Sequence, residues 1–161
     1  MMQVWRIASD TPDYLADDLS GAGAKALGGR WNRPGLPVVY CARSPALACL
    51  ETLVHLNTSG LPLNRYLVVI DIPDEVWVER EIHTCTSLDV GWDASPPGMV
   101  SLNTGGAWLK AQRSAVIELP SAIVPEDAVV LINPQHPHAH RITAIKLRRW
   151  LYDPRLGSLT R

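Results

Sequence analysis

Residues 28–55 read GGRWNRPGLPVVYCARSPALACLETLVH. Gly28-Gly29 permits an irregular backbone that other groups can approach closely, just ahead of Arg30. Residues 38–42 are a short β-branched and apolar run, which predicts a strand carrying Tyr40. Ser44-Pro45 marks a helix start, because serine caps free N–H groups and proline suits the first helical position. The predicted helix continues to Leu56, with Leu47, Leu50, Leu53 and Val54 forming an apolar face at i, i+3 and i+4 spacing. On a helical wheel Glu51 falls at the edge of that face, with His55 one turn later on the same side. A loop, a strand and a capped helix in this order place an arginine, a tyrosine and a carboxylate within reach of one another.

Working outward, further strands are predicted at residues 4–7, 66–72, 76–78, 115–119 and 129–132. Pro73, Pro120 and Pro134 close three of them. A second helix is expected over residues 107–114, and a short helical piece near residues 14–19. Strands outnumber helices and do not alternate with them. That favours an α+β fold with a mixed or antiparallel sheet over a doubly wound one. Length and the lack of repeats or linkers fit one domain spanning residues 1–161.

A net charge of −1 and a pI near 6.5 argue against direct nucleic-acid binding, which calls for a basic stripe. No apolar run is long enough to span a bilayer, and residues 1–6 do not look like a signal peptide. Cys41, Cys49 and Cys85 are odd in number and lack CxxC spacing, so a cytoplasmic protein with reduced thiols is expected.

The residues taken one at a time leave alternatives open. Glu51 and His55 have the spacing of an ordinary solvated i,i+4 pair. Arg30 suits a diphosphate or carboxylate but also an exposed turn. Tyr40 fits a core position with its hydroxyl bonded. Ser121 follows an apolar strand, with no base near it in sequence, and reads as a ligand-positioning hydroxyl or a turn serine. His136, His138 and His140 lie in a proline-containing loop without an HExxH motif or a cysteine pair, so no metal site is assigned. Gly105-Gly106 belongs to neither a GxGxxG motif nor a P-loop. The basic, aromatic stretch 141–156 suits a closing strand with a partner-binding edge or a docked C-terminus.

As an ordered set these features resemble the RES domain: Val4-Trp5-Arg6-Ile7, GGRWN at 28–32, the strand with Tyr40, the helix with Glu51, Pro120-Ser121 and Leu131-Ile132-Asn133-Pro134. The family is named for an arginine, a glutamate and a serine, which fall at Arg30, Glu51 and Ser121. The resemblance implies an ADP-ribosyltransferase-like fold, a split mixed or antiparallel sheet with peripheral helices. It implies a toxin that degrades NAD+ at the nicotinamide–ribose bond, by phosphorolysis or hydrolysis, and arrests growth. The alternative is a mono-ADP-ribosyltransferase acting on a host protein. Arg30, Tyr40 and Glu51 would be catalytic, and Arg6, Asn32, His55, Ser121 and Asn133 would bind substrate. NAD+ is then a substrate, and no further cofactor is called for. The implied partner is an antitoxin with an Xre-like helix-turn-helix domain, forming a hetero-oligomer that blocks the active site.

Overall fold

Apolar and β-branched runs become the strands of a seven-stranded sheet in the computed structural model, which describes residues 1–56 and 60–158. The strands are β1 Met2–Ser9, β2 Val39–Ala42, β3 Arg65–Ile72, β4 Glu81–Ile82, β5 Val116–Pro120, β6 Ala128–Ile132 and β7 Thr143–Trp150. Their order is β4-β5-β6-β2-β1-β3-β7, and all neighbours are antiparallel except β4 with β5. The fold is therefore α+β with a mixed sheet, as the sequence indicates.

The sheet has a seam. β1 pairs with β3 along its whole length, from Met2 opposite Ile72 to Ser9 opposite Arg65. Its pairing with β2 is confined to Trp5 opposite Ala42. Two sub-sheets, β4-β5-β6-β2 and β1-β3-β7, thus diverge from one point.

Alternation along the strands gives the sheet two apolar faces. The first gathers Ile7, Leu67, Ile117, Leu119, Val129 and Leu131 under the helices α2 (Pro45–Leu53) and α4 (Met99–Ala111), with Trp31 and Trp108 fully buried among them. The second gathers Val4, Val39, Val68, Ile70, Val116, Val130 and Ile132 under the 10–20 loop and α3 (Asp74–Val78). Burial on both faces makes β2, β3, β5 and β6 nearly continuous apolar runs, which is why they were readable in the sequence.

Several elements differ from expectation. Residues 76–78 are the end of α3, not a strand: Pro73 precedes it, and Asp74 and Glu75 occupy the first turn, where acids favour the positive end of the helix dipole. Residues 14–19 form turns, because Thr11 Oγ1 accepts the N–H of Asp13 and Tyr14, and Asp10 Oδ1 accepts that of Ala16. The helix comes later, as α1 (Ala22–Leu27). The α4 helix starts eight residues before the expected 107 and passes through Gly105-Gly106. Gly105 is there because the helix rests on Trp31: a Cβ would stand 1.8 Å from the Trp31 carbonyl oxygen. The α2 helix ends at Leu53 rather than Leu56, and residues 54–55 turn away. Among the described residues no helix is long and apolar enough to cross a membrane.

Candidate active site

Ser44 accepts the Leu47 N–H and Pro45 opens α2, so the helix starts where its cap signal lies. The preceding residue, Arg43, is tied to Glu118 of β5 at 2.6 Å, with Arg80 on the other carboxylate oxygen, also at 2.6 Å. This fixes where α2 leaves the sheet. The far end of the helix is held by the hydroxyls of Thr52 and Tyr152, 2.7 Å apart.

The helix is turned differently from the apolar face proposed for it. Leu47, Ala48 and Leu53 are buried, whereas Leu50 and Val54 are 40% and 59% exposed. On the wheel Glu51 lies between Leu47 and Ala48, so it faces inward rather than sitting at the edge. There it meets Ser121, the residue after β5, which is fully buried. Ser121 Oγ donates to Glu51 Oε1 at 2.7 Å and accepts the N–H groups of Ile123 and Val124 at 3.1 Å each. One hydroxyl therefore folds the 121–124 turn and orients the carboxylate. Among the described residues Glu51 Oε2 receives no hydrogen bond.

Tyr40 lies on the same face of the sheet, half-buried, on β2, which borders the seam. Its hydroxyl donates to Asn32 Oδ1 at 2.7 Å and accepts the Trp31 N–H at 3.0 Å. Burial pushes the phenol well above its ordinary value, with the Trp31 and Asn32 hydrogen bonds pulling weakly the other way, so it stays a neutral donor. The approach to the loop is close: a Cβ on Gly29 would stand 2.7 Å from the Tyr40 oxygen. Gly29 is thus required by the tyrosine that organises the loop.

Arg30 follows directly. Its Nη1 donates to the carbonyls of Trp92 and Ala94, at 3.1 and 2.9 Å, and Trp92 stacks on Trp31 with centroids 6.2 Å apart. The guanidinium is fixed to the loop ahead of α4, with its charge uncompensated by any carboxylate among the described residues.

The remaining sequence candidates are not all brought to this place. Asn32 is buried and spends its amide internally, donating to Ala24 O and Leu36 O at 2.9 Å each. Asn133 is also buried; it donates to Leu109 O near the end of α4 and accepts the Gln135 N–H. Both are scaffold. Arg6 alternates with Trp5 and Ile7 on β1 and so lies on the second face, with Val4 and Ala8, away from Tyr40. His55 is exposed beyond the end of α2 and makes no contact with Glu51. Among the described residues no three His, Cys, Asp or Glu side chains gather to hold a metal. His136 and His138 instead meet edge to face, 5.2 Å apart.

Sequence reasoning missed the Trp92 and Ala94 carbonyls and the Trp31–Trp92 stack. They sit more than sixty residues from Arg30 and depend on a long loop with no periodic signal.

Comparison with known proteins agrees over nearly the whole chain. The family model described as the RES domain matches residues 3–154. A protein from Sphingobium sp. named "Prs ADP-ribosylating toxin" is 60% identical over 152 residues, 94% of each chain. Two proteins named "Toxin Res" are each 36% identical. The one from Photorhabdus laumondii aligns over 89% of this chain and 90% of its own, and the one from Pseudomonas putida over 96% and 99%.

Proposed function

The chain belongs to the RES domain family, and from that premise we propose that it is a toxin that consumes NAD+ by breaking the nicotinamide–ribose bond. The observation that carries this reading is Glu51, turned inward and held through one oxygen by the buried Ser121. Heterolysis leaves both bonding electrons on the nicotinamide nitrogen, which becomes neutral, so the leaving group needs no acid. The ribose is left with oxocarbenium character, as in glycoside cleavage. An oriented carboxylate stabilises that developing positive charge, and it does so most where water is excluded. Arg30 supplies a fixed cation for the pyrophosphate. The ring of Tyr40 offers a flat wall on the same side of the sheet, while its hydroxyl stays committed to the Arg30 loop.

Glu51→Gln tests this reading, since it keeps an oxygen to accept from Ser121 and removes only the charge. A carboxylate about 4 Å from a unit positive charge is worth about 4 kcal/mol at an effective dielectric of 20. Partial charge development makes the expected fall in nicotinamide release roughly a hundredfold to a thousandfold. A folded Glu51→Gln protein that still releases nicotinamide at the parental rate overturns the assignment.

The acceptor of ADP-ribose is the second point. The 60% identical relative is named "Prs ADP-ribosylating toxin", which favours transfer of ADP-ribose to a target, here proposed to be a protein, over transfer to water or phosphate. Labelled NAD+ in a cell extract then gives one labelled protein band. Free ADP-ribose or its phosphate as sole product returns the reading to hydrolysis or phosphorolysis. The relatives' name, "Toxin Res", agrees with a pairing with an antitoxin, which we propose carries an Xre-like helix-turn-helix domain and covers the active site in the cytoplasm. Co-expression with the product of the neighbouring gene, followed by co-purification and loss of toxicity, tests the pairing.

A further inference from the structure

β7 is the last strand of the sheet, paired with β3 on one side and with nothing among the described residues on the other. It is eight residues long, so its outer rim presents a row of unpaired backbone N–H and C=O groups roughly 25 Å in extent. Such edges are normally kept short, covered, bulged or charged. This one is bulged and charged, but it is long and, among the described residues, uncovered. Ile145, Leu147 and Leu151 are 53%, 51% and 62% exposed along or just beyond it. Single exposed aliphatics are ordinary, but three within seven residues on an open edge form a surface suited to a partner.

Charge decides which partner. Residues 128–152 hold four cations, Arg141, Lys146, Arg148 and Arg149, and no carboxylate. Arg141 is engaged by Glu75, and Lys146 by Asp10 at 2.8 Å. Among the described residues Arg148 and Arg149 have no acidic partner. Arg148 lies over the Trp150 ring, 5.0 Å from its centroid, and donates to the Arg149 carbonyl at 3.1 Å, so it is held at the edge. A second copy of the chain is disfavoured: its own β7 would bring further cations and no carboxylate to Arg148 and Arg149, and like charges brought together destabilise a strand pair. An acidic strand meets the opposite situation, with carboxylates that can face Arg148 on one side of the sheet or Arg149 on the other.

We infer that the β7 edge is a docking site for an extended acidic segment of a partner protein, which adds an eighth strand to the sheet through Thr143–Trp150. Main-chain hydrogen bonds supply the binding, Ile145 and Leu147 select apolar side chains, and Arg148 and Arg149 select acidic ones. The edge lies at the far end of the β1-β3-β7 sub-sheet, and neither arginine belongs to the NAD+ machinery proposed above.

The probe is a capped ten-residue peptide alternating valine and glutamate, added to the full chain. It is compared with a valine–lysine peptide and with the acidic peptide methylated at every backbone nitrogen. Amide hydrogen exchange locates binding. The acidic peptide slows exchange across residues 143–150 and the two controls do not. Arg148→Glu with Arg149→Glu weakens binding about tenfold or more, shifts preference to the lysine peptide and leaves nicotinamide release unchanged. Absence of protection in β7, equal binding of either control peptide, or an unchanged affinity in the double variant overturns the inference. So does concentration-dependent protection of β7 without peptide, which would make a second copy the occupant.

Discussion

Ser121→Ala isolates the most specific contact of the site. The substitution removes an oxygen that donates to Glu51 Oε1 at 2.7 Å and accepts two N–H groups at 3.1 Å. A hydrogen bond to a charged group contributes about 1.5–3 kcal/mol. If Ser121 serves to hold Glu51 where positive charge develops, that loss appears in the transition state, and kcat for nicotinamide release falls roughly 10- to 150-fold. KM changes little, because the ground-state contacts of NAD+ stay in place. The stability cost is smaller: Ile123 is 38% exposed, so water can replace part of what the turn loses, and a loss of about 1 kcal/mol is expected in the unfolding free energy from urea titration. The assay pairs steady-state nicotinamide release at saturating NAD+ with equilibrium unfolding of the same preparation. Ser121→Thr keeps the hydroxyl and recovers most of kcat, even though its added methyl strains a fully buried position. An alanine variant with parental kcat and lowered stability refutes the positioning role and leaves Ser121 as a turn residue.

Tyr40→Phe strips the hydroxyl that joins Asn32 to the Trp31 N–H; it lowers stability by about 1–3 kcal/mol and raises KM for NAD+ by loosening Arg30, and an unchanged KM counts against that link. Gly105→Ala forces a Cβ against the Trp31 carbonyl and destabilises by about 3 kcal/mol or more, read from thermal or urea unfolding; a neutral effect means that α4 does not rest on Trp31. The Asp10–Lys146 pair makes stability pH-dependent at both ends. The Lys146 hydrogen bond and then the Ala16 N–H hold the Asp10 carboxyl below its ordinary 3.8, so this contribution is present above 3.8 and disappears as pH falls through the lower folded value. The same bond raises the Lys146 ammonium above 10.5, so its contribution is present below 10.5 and fades as pH climbs through the higher folded value. Asp10→Asn flattens both limbs of the urea-midpoint profile, and an unaltered profile shows the pair to be inert.

The parts of the fold legible in the sequence are those whose signals are local. Ser44-Pro45 marks the start of α2 because capping is a contact within four residues. The strands buried on both faces read directly as apolar runs. What was misread depends on distant contacts. The second helix was expected only from 107, whereas α4 runs through Gly105-Gly106 against Trp31, and the rotation of α2 follows from its seat on the sheet rather than from its own leucines. The candidate residues divide the same way. Glu51 and Ser121 were linked by resemblance alone, since seventy residues separate the two ends of their hydrogen bond. Asn32 and Asn133 were assigned to substrate binding by the resemblance alone. Their amides instead complete the internal bonding of a loop and a helix end, as buried polar groups must.

The seam explains why these residues meet where they do. Away from Trp5 and Ala42, the facing edges of β1 and β2 leave backbone groups that do not pair with each other. An opening between sub-sheets cannot be filled by apolar packing alone, because those groups need polar partners or solvent. The chain crosses the region repeatedly: the Arg30 loop enters β2, β2 feeds the cap of α2, and Trp5 stands at the point of divergence. Side chains arriving there come from separate stretches but share one face of the sheet. A carboxylate held by a buried hydroxyl and an arginine clamped by two carbonyls are fixed by the fold itself. Under the proposed function, that preorganisation is what charge stabilisation requires.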